Sequence, residues 1–243
     1  MNRSWTSRLR GSPLVSVLII IASVVLLCTG LYVADRYADR RAERRVATEL
    51  EAHLGTPQPP QVNIEGFPFL TQIAAGSVGK IHVVGDQLGE TSNAPLILAH
   101  ADLVMSDVVT NDWFKTMQIS HTEGTARIDY AKLSAVAGTP LSFGGEGRVE
   151  IVVHTTVVGR EVEAVISGLP RLNPKEQTMT LSDARIAVQG VNLPDFTAQA
   201  LLAALLKPIP LKPMPLGLTV TKVVAADAGV HVDLAGDNLT VPS

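Results

Sequence analysis

The hydrophobic pattern begins with a long uncharged stretch, residues 14–33. As a helix rising about 1.5 Å per residue, the stretch spans about the 30 Å thickness of a bilayer's hydrocarbon core. The alternative is a buried core helix, but such helices are seldom apolar on every side at an extreme N-terminus. The stretch is longer than the roughly 7 to 15 apolar residues of a cleaved signal, and no convincing small-x-small cleavage site follows it. We therefore predict an uncleaved transmembrane signal-anchor, with residues 1–13 as a basic cytoplasmic N-terminus.

Charges on the two sides of this segment give opposing indications of its orientation. Arginines precede it in the manner of a secretory signal, but more arginines follow it between residues 36 and 45. The positive-inside rule counts basic residues with little regard to acids, so it opposes an external domain. Large domains can translocate despite flanking charge, and Asp35, Asp39 and Glu43 interrupt the basic run. We predict a single-pass protein of the cell membrane whose C-terminal domain is extracytoplasmic, in a periplasm-like space.

Residues 34–54 follow as a predicted juxtamembrane helix. Its apolar positions are Tyr37, Val46, Leu50 and Leu54, and Gly55 begins the stop signal. Because this apolar face is thin, the favoured interpretation is a solvated stalk. In the alternative, the C-terminal half packs on the domain and the arginines meet lipid phosphates, each worth about 1 kcal/mol at an anionic surface.

Residues 55–243 form one predicted domain, in which short β-type runs are separated by Gly, Asn and Asp breaks. Their spacing indicates antiparallel meanders. The predicted strands are residues 61–65, 77–85, 95–109, 116–128, 147–158, 161–168, 176–189, 215–224 and 229–241. Two helices are predicted between them, at residues 129–137 and 195–206.

Several of these strands are apolar on both faces. A sheet with one wet face alternates apolar and polar residues, as residues 160–165 do, but residues 95–105 and 151–158 do not. Such strands are either covered by a helix on one side and a second sheet on the other, or they curl round a lipid chain. In the second case Leu98 and Val152 would meet hydrocarbon.

The predicted helix at residues 195–206 is also apolar on nearly all sides. Burial is the simple explanation for such a helix. Its Leu201 and Leu205 are further candidates for contact with a lipid chain.

Two phenylalanines flank a proline just before the second strand. Pro68 restricts its neighbours to extended conformations, which predicts a stiff, non-helical apolar knuckle at Phe67 and Phe69. Only 4% of the residues are aromatic, so the placement is unusual. On pattern alone, a hydrophobic plug that closes one end of a core is favoured over a binding site.

The same segment carries a family resemblance, in the string Gly66-Phe67-Pro68-Phe69-Leu70-Thr71-Gln72. Together with the proline-rich residues 208–220 and the closing residues 229–232, it resembles the LmeA-like phospholipid-binding family. The resemblance implies a secreted or membrane-tethered envelope protein that binds phospholipid in an elongated, highly curved β fold of the tubular lipid-binding type. It also implies that the helix near residues 196–206 lies in the concave face of the sheet, with the proline turn at residues 208–215 capping a tunnel.

Composition and motif searches limit the other function classes. A net charge of −3 and a pI near 6.1 argue against a nucleic-acid partner. Cys28 is the sole cysteine, so the chain forms no intramolecular disulfide and no cysteine-based metal cluster. The six histidines show no HExxH spacing, there is no GxSxG elbow, and residues 144–147 are better explained as a hairpin turn than as a phosphate-binding loop. We predict no enzyme, no cofactor and no metal.

The predicted fold class is α+β, mainly β: a long, highly curved antiparallel sheet wrapped around a C-terminal apolar helix and preceded by a transmembrane helix. The predicted function is to shelter acyl chains of a phospholipid or glycolipid in an apolar tunnel, supporting envelope glycolipid assembly, with an envelope glycosyltransferase as a partner. The alternatives are a lipid-free scaffold that docks an envelope enzyme, and a hydrolase or glycosyltransferase with an unrecognised site. The candidate lipid-binding residues are Phe67, Pro68, Phe69, Leu70, Leu98, Val152, Leu201 and Leu205.

Overall fold

The computed structural model describes residues 13–91, 96–111, 114, 116–157, 160–188 and 194–241. The helices are α1 (Pro13–Leu54), α2 (Phe69–Ala74), α3 (Tyr130–Ala137) and α4 (Asp195–Leu205), with a short 3₁₀ helix at Pro215–Gly217. The strands are β1 (Gln61–Glu65), β2 (Ser77–Leu88), β3 (Leu98–Asn111), β4 (Thr116–Ile128), β5 (Leu141–Phe143), β6 (Val149–Val157), β7 (Arg160–Asn173), β8 (Thr178–Val188), β9 (Ile209–Pro210), β10 (Thr219–Ala226) and β11 (Gly229–Val241).

The strands form two antiparallel sheets. One has six strands in the order β1-β2-β3-β4-β11-β10, and the other has five in the order β5-β6-β7-β8-β9. The sheets adjoin where β10 lies against β7. The predicted fold class, a mainly β protein with a curled antiparallel sheet behind an N-terminal apolar helix, is confirmed.

The predicted membrane segment and the predicted juxtamembrane helix are one continuous helix, α1. The described side chains of residues 14–33 are exposed, whereas Ala42, Val46, Leu50 and Leu54 are at most 3% exposed. Their four-residue spacing places them on one face of the helix, and they join the apolar residues of both sheets in one core. The solvated-stalk prediction is therefore wrong, and the alternative, a packed C-terminal half, is correct.

Helix α4 is present as predicted, but the expectation that it is buried is wrong. None of its residues is buried, and Phe196 is 84% exposed. Leu202 and Leu205 pack partly against the core, and the helix lies beside β8. The helix whose residues fill the core is instead the C-terminal half of α1.

The glycine-rich residues 144–147 form the turn of the β5–β6 hairpin, as predicted. Gly145 and Gly147 have φ values of +77° and +74°, a region that favours glycine. The amide of Gly144 donates to the carbonyl of Arg148, which closes the turn.

Candidate functional site

The segment after β1 turns into a short helix rather than an extended knuckle. Pro68 is extended (φ −74°, ψ 136°) and directly precedes α2, which begins at Phe69. The prediction of a non-helical knuckle is thus wrong from Phe69 onward. The physical reason is that a proline restricts the residue before it, here Phe67, and leaves the residue after it free to begin a helix.

Asp35 of α1 holds the start of α2 in place. Its carboxylate accepts hydrogen bonds from the backbone N–H groups of Phe69 (3.0 Å) and Leu70 (2.8 Å). Both groups belong to the first turn of a helix, where no intrahelical partner exists. Asp35 is only 4% exposed, so these charge-assisted bonds fix α2 against α1 just beyond the membrane segment.

This placement separates the two phenylalanines. Phe69 is 1% exposed and belongs to the core, as a plug would, whereas Phe67 is 59% exposed. The ring of Phe67 lies 5.9 Å from that of Tyr32 at an interplanar angle of 53°. The guanidinium of Arg36 lies over both rings, 5.9 Å from Tyr32 and 6.0 Å from Phe67. The exposed aromatic surface is therefore bordered by a cation.

Between α1 and α2 lies an apolar cleft of about 340 Å³. Binding pockets for small ligands are typically about 300–1,000 Å³, so its volume is at the lower end. Cys28 and Leu31 lie within the candidate membrane span, while Phe67 and Leu70 belong to the domain. The full lining is Cys28, Leu31, Tyr32, Asp35, Phe67, Pro68, Leu70 and Thr71. The cleft consequently lies between the end of the candidate membrane span and the domain.

The structure does not bring all the candidate residues together. Phe67, Pro68 and Leu70 line this cleft, and Phe69 lies in the core. Leu98 of β3 is fully buried in the core, and Val152 of β6 is half-buried. Leu201 and Leu205 of α4 are half-buried.

Leu205 lines a second cleft of about 260 Å³, where the end of α4 meets β6 and the end of α3. Its other lining residues are Ala137, Gly138, Thr139, Ile151, Val153, Ala204, Lys207 and Ile209.

Sequence reasoning missed several residues at the first cleft, among them Tyr32, which lines it, and Arg36, whose guanidinium lies over the Tyr32 and Phe67 rings. A tyrosine at the end of an apolar segment is a known signal of the membrane interface, and it could have indicated Tyr32. Arg36 was counted only as part of a basic run. Its position over two rings depends on the tertiary placement of Phe67.

Two further acids lie on α1, and one of them bonds to the domain. Arg36 pairs with Asp39 at 3.0 Å, and Asp39 is 5% exposed. Glu43 accepts a hydrogen bond from the backbone N–H of Ile64 in β1 at 3.2 Å. Burial raises the pKa of Glu43, and the bond from Ile64 opposes that rise.

The histidines with carboxylate partners lie mainly in the six-stranded sheet. His82 contacts Asp102 (2.6 Å), and His100 contacts Asp86 (2.8 Å). His121 contacts Asp237 at 2.6 Å and Glu123 at 2.9 Å. All of these pairs except His121–Glu123, which lies within β4, connect neighbouring strands. Their side chains are exposed or half-exposed, which is consistent with structural roles. In the part of the chain that the structure describes, no group of three or more His, Cys, Asp or Glu side chains is placed to hold a metal ion.

Comparison with known proteins gives one finding. The family model described as LmeA-like phospholipid-binding matches residues 33–235, from the end of the membrane segment through both sheets to β11. Neither the curated proteins nor the solved structures provide a match to the chain.

Proposed function

Because the chain belongs to the LmeA-like phospholipid-binding family, as its Gly66–Gln72 string predicts, we propose that it draws the acyl part of a phospholipid or glycolipid from its own bilayer into the cleft between α1 and α2. The anchor is α1. An 18-residue apolar stretch of this helix has a mean hydropathy of 2.8, and none of that stretch is buried against the rest of the protein. It is a candidate single-pass span.

The observation that carries this proposal is the position of the cleft. Cys28 and Leu31 face it from the membrane segment, and Phe67 and Leu70 face it from the domain. A fatty tail can therefore pass from hydrocarbon to protein along apolar surface, without crossing water. Each methylene kept from water contributes about 0.8 kcal/mol, so a modest length of chain supplies a useful driving force.

The proposal places the tail at this cleft rather than in a tunnel along the whole domain. Val46, Leu50 and Leu54 of α1 already occupy core space enclosed by the sheets. The second cleft, at Leu205, offers apolar surface farther along the chain. Among the candidate residues, Phe67, Pro68 and Leu70 are assigned the first contact with lipid, and Leu205 belongs to the second cleft.

We also propose that the domain lies on the extracytoplasmic side, in a periplasm-like space, with α1 as an uncleaved signal-anchor. The support is that large domains translocate despite flanking arginines. Alkaline phosphatase fused to the C-terminus should be active, whereas an inactive, stably expressed fusion would contradict this orientation. Support for envelope glycolipid assembly, with a glycosyltransferase partner, is the part of the proposal that rests on the family alone.

The test is a photo-crosslinking map of the full chain in liposomes. The probe is a phosphatidylethanolamine with a diazirine at the end of one acyl chain. Wild type should yield crosslinks both in residues 14–33 and in residues 67–71. The crosslinks in the membrane segment act as an internal control for reconstitution.

Two variants make this test specific. Phe67→Asp should lose the crosslinks in residues 67–71 and keep those in the membrane segment, because a charge in the cleft excludes hydrocarbon. Phe196→Asp changes another exposed phenylalanine, on α4, and should leave both sets intact. Crosslinks confined to residues 14–33 in wild type would instead support the lipid-free scaffold and refute the proposal.

A further inference from the structure

A third cleft, of about 500 Å³, lies between α1 and Phe114. Its floor is apolar, since Ala42 is 3% exposed and Phe114 is fully buried. Its rim consists of the exposed side chains of Arg41, Arg44 and Arg45, together with Thr48. Three guanidinium groups thus surround a recess instead of pointing into open solvent from separate places. We call it the arginine cleft.

No carboxylate among the described residues compensates the positive charge of the arginine cleft. Arg41 is three residues from Arg44 and four from Arg45, and like charges at these spacings destabilise a helix. Arg36, on the same helix, is paired with Asp39. None of the three arginines of the cleft forms an ion pair with a carboxylate in the described residues. A bound anion would relieve the repulsion among them.

The chemistry of the rim selects the kind of anion. Thr48 donates its hydroxyl proton to the carbonyl of Arg44 at 3.0 Å, so the N–H donors of the cleft are those of the guanidinium groups. The planar guanidinium fork matches the oxygens of a phosphate in a bidentate manner. We propose that the arginine cleft binds a phosphate group of an anionic ligand.

The cleft's height above the bilayer limits where that phosphate comes from. Arg41 and Arg45 follow Val33 by eight and twelve residues, about 12 Å and 18 Å along the helix axis. The polar layer of a bilayer is only about 5–8 Å thick on each side. The phosphate next to a lipid's glycerol therefore lies below the cleft. The ligand is either a headgroup that carries a phosphate farther out or a soluble phosphate compound.

The arginine cleft is also separate from the lipid cleft. At about 100° per residue, its arginines project about 140° away from Cys28, Tyr32 and their neighbours around the axis of α1. The inference therefore goes beyond the proposed function, and each can fail without the other.

The experiment uses the full chain in phosphatidylcholine nanodiscs and follows thermal unfolding, because a ligand of the folded state raises its midpoint. The test variant is Arg41→Gln with Arg45→Gln. The matched control is Arg40→Gln, which removes the same kind of exposed charge from the neighbouring position, outside the lining of the cleft. One arm adds inorganic phosphate at constant ionic strength. The other replaces about one lipid in five by phosphatidylglycerol phosphate, whose second phosphate is terminal, with phosphatidylglycerol as its reference.

A saturable rise of the midpoint in wild type and Arg40→Gln, with an apparent affinity at least tenfold weaker in the double variant, supports the site. If the rise occurs with free phosphate, a soluble ligand suffices. If it occurs only with phosphatidylglycerol phosphate, the ligand is a headgroup. Equal responses in the double variant and in Arg40→Gln would show diffuse electrostatic attraction and overturn the proposal. No response of wild type in either arm would overturn it as well.

Discussion

The two phenylalanines around Pro68 should separate stability from lipid binding. Phe69 is 1% exposed, and truncating a buried phenylalanine to alanine costs about 3–5 kcal/mol. Phe67 is 59% exposed. The main contact that Phe67→Ala would remove from the folded protein is the ring pair with Tyr32, worth about 0.5–1.5 kcal/mol. The two variants are therefore expected to differ by about 1.5–4.5 kcal/mol in their free energy of unfolding, although the two residues are only two positions apart.

The assay is urea unfolding of the full chain in detergent, followed by circular dichroism. For a chain of this size, about 1 kcal/mol corresponds to a shift in midpoint temperature of about 2–4 °C, so Phe69→Ala should also unfold roughly 6–20 °C below wild type. Phe67→Ala should unfold within a few degrees of wild type. In the crosslinking assay, Phe67→Ala should reduce the yield in residues 67–71, because it removes apolar surface from the cleft.

Equal destabilisation by the two variants would refute this reasoning, since it would mean that Phe67 is also a core residue. Unchanged crosslinking of a folded Phe67→Ala protein would remove that side chain from the lipid site. Phe69→Asp serves as the positive control for loss of folding, because it buries an unpaired charge.

Three other changes test the surroundings of the site. Asp35→Ala removes the acceptor of two N–H groups at the start of α2 and should lower the free energy of unfolding by about 1.5–3 kcal/mol in the same urea assay; no change would show that α2 holds its place without the cap. Leu50→Ala should lower the free energy of unfolding by about 2–5 kcal/mol, whereas Tyr37→Ala, at an exposed position of the same helix, should lower it by less than about 0.5 kcal/mol. Equally small effects of the two changes would mean that this part of α1 is a solvated stalk. Hydrogen bonds to Asp237, and then to Glu123, raise the pKa of His121. The stability that these contacts contribute is therefore complete below the pKa of the imidazole in the unfolded chain, about 6.5, and it is lost as pH rises through the pKa in the folded protein. An NMR titration of His121 should show a lower midpoint in Asp237→Asn, and an identical midpoint would contradict the assigned contact.

Local patterns predicted most of the secondary structure. Strands β1, β4 and β11 have the predicted bounds, and most of the others begin or end within a few residues of them. Alternation, turn residues and chain breaks act over a few residues, so they are readable without a partner. The candidate membrane span is also readable from the sequence alone, because its length and its lack of charge are properties of the amino-acid sequence.

Errors arose where a residue's neighbour lies far along the chain. The apolar face of residues 34–54 looks thin because Ala42 is small, yet its spacing from Val46 and Leu50 fits the core. Pro68 was interpreted as a barrier to helix, but the Asp35 carboxylate, more than thirty residues earlier, supplies the missing cap of α2. Helix α4 looks like a core helix by composition, but none of its residues is buried, whereas four residues on one face of α1 belong to the core.

The sequence by itself determined the candidate membrane span, the β-rich domain, the family and the apolar residues among which a lipid site was predicted. Only the tertiary structure decided which of two equivalent phenylalanines faces the cleft, which helix fills the core, and which arginines meet around a recess. The physical reason is that burial and the sharing of one cleft depend on distances between segments remote in sequence, and periodicity along a single segment carries no information about such distances.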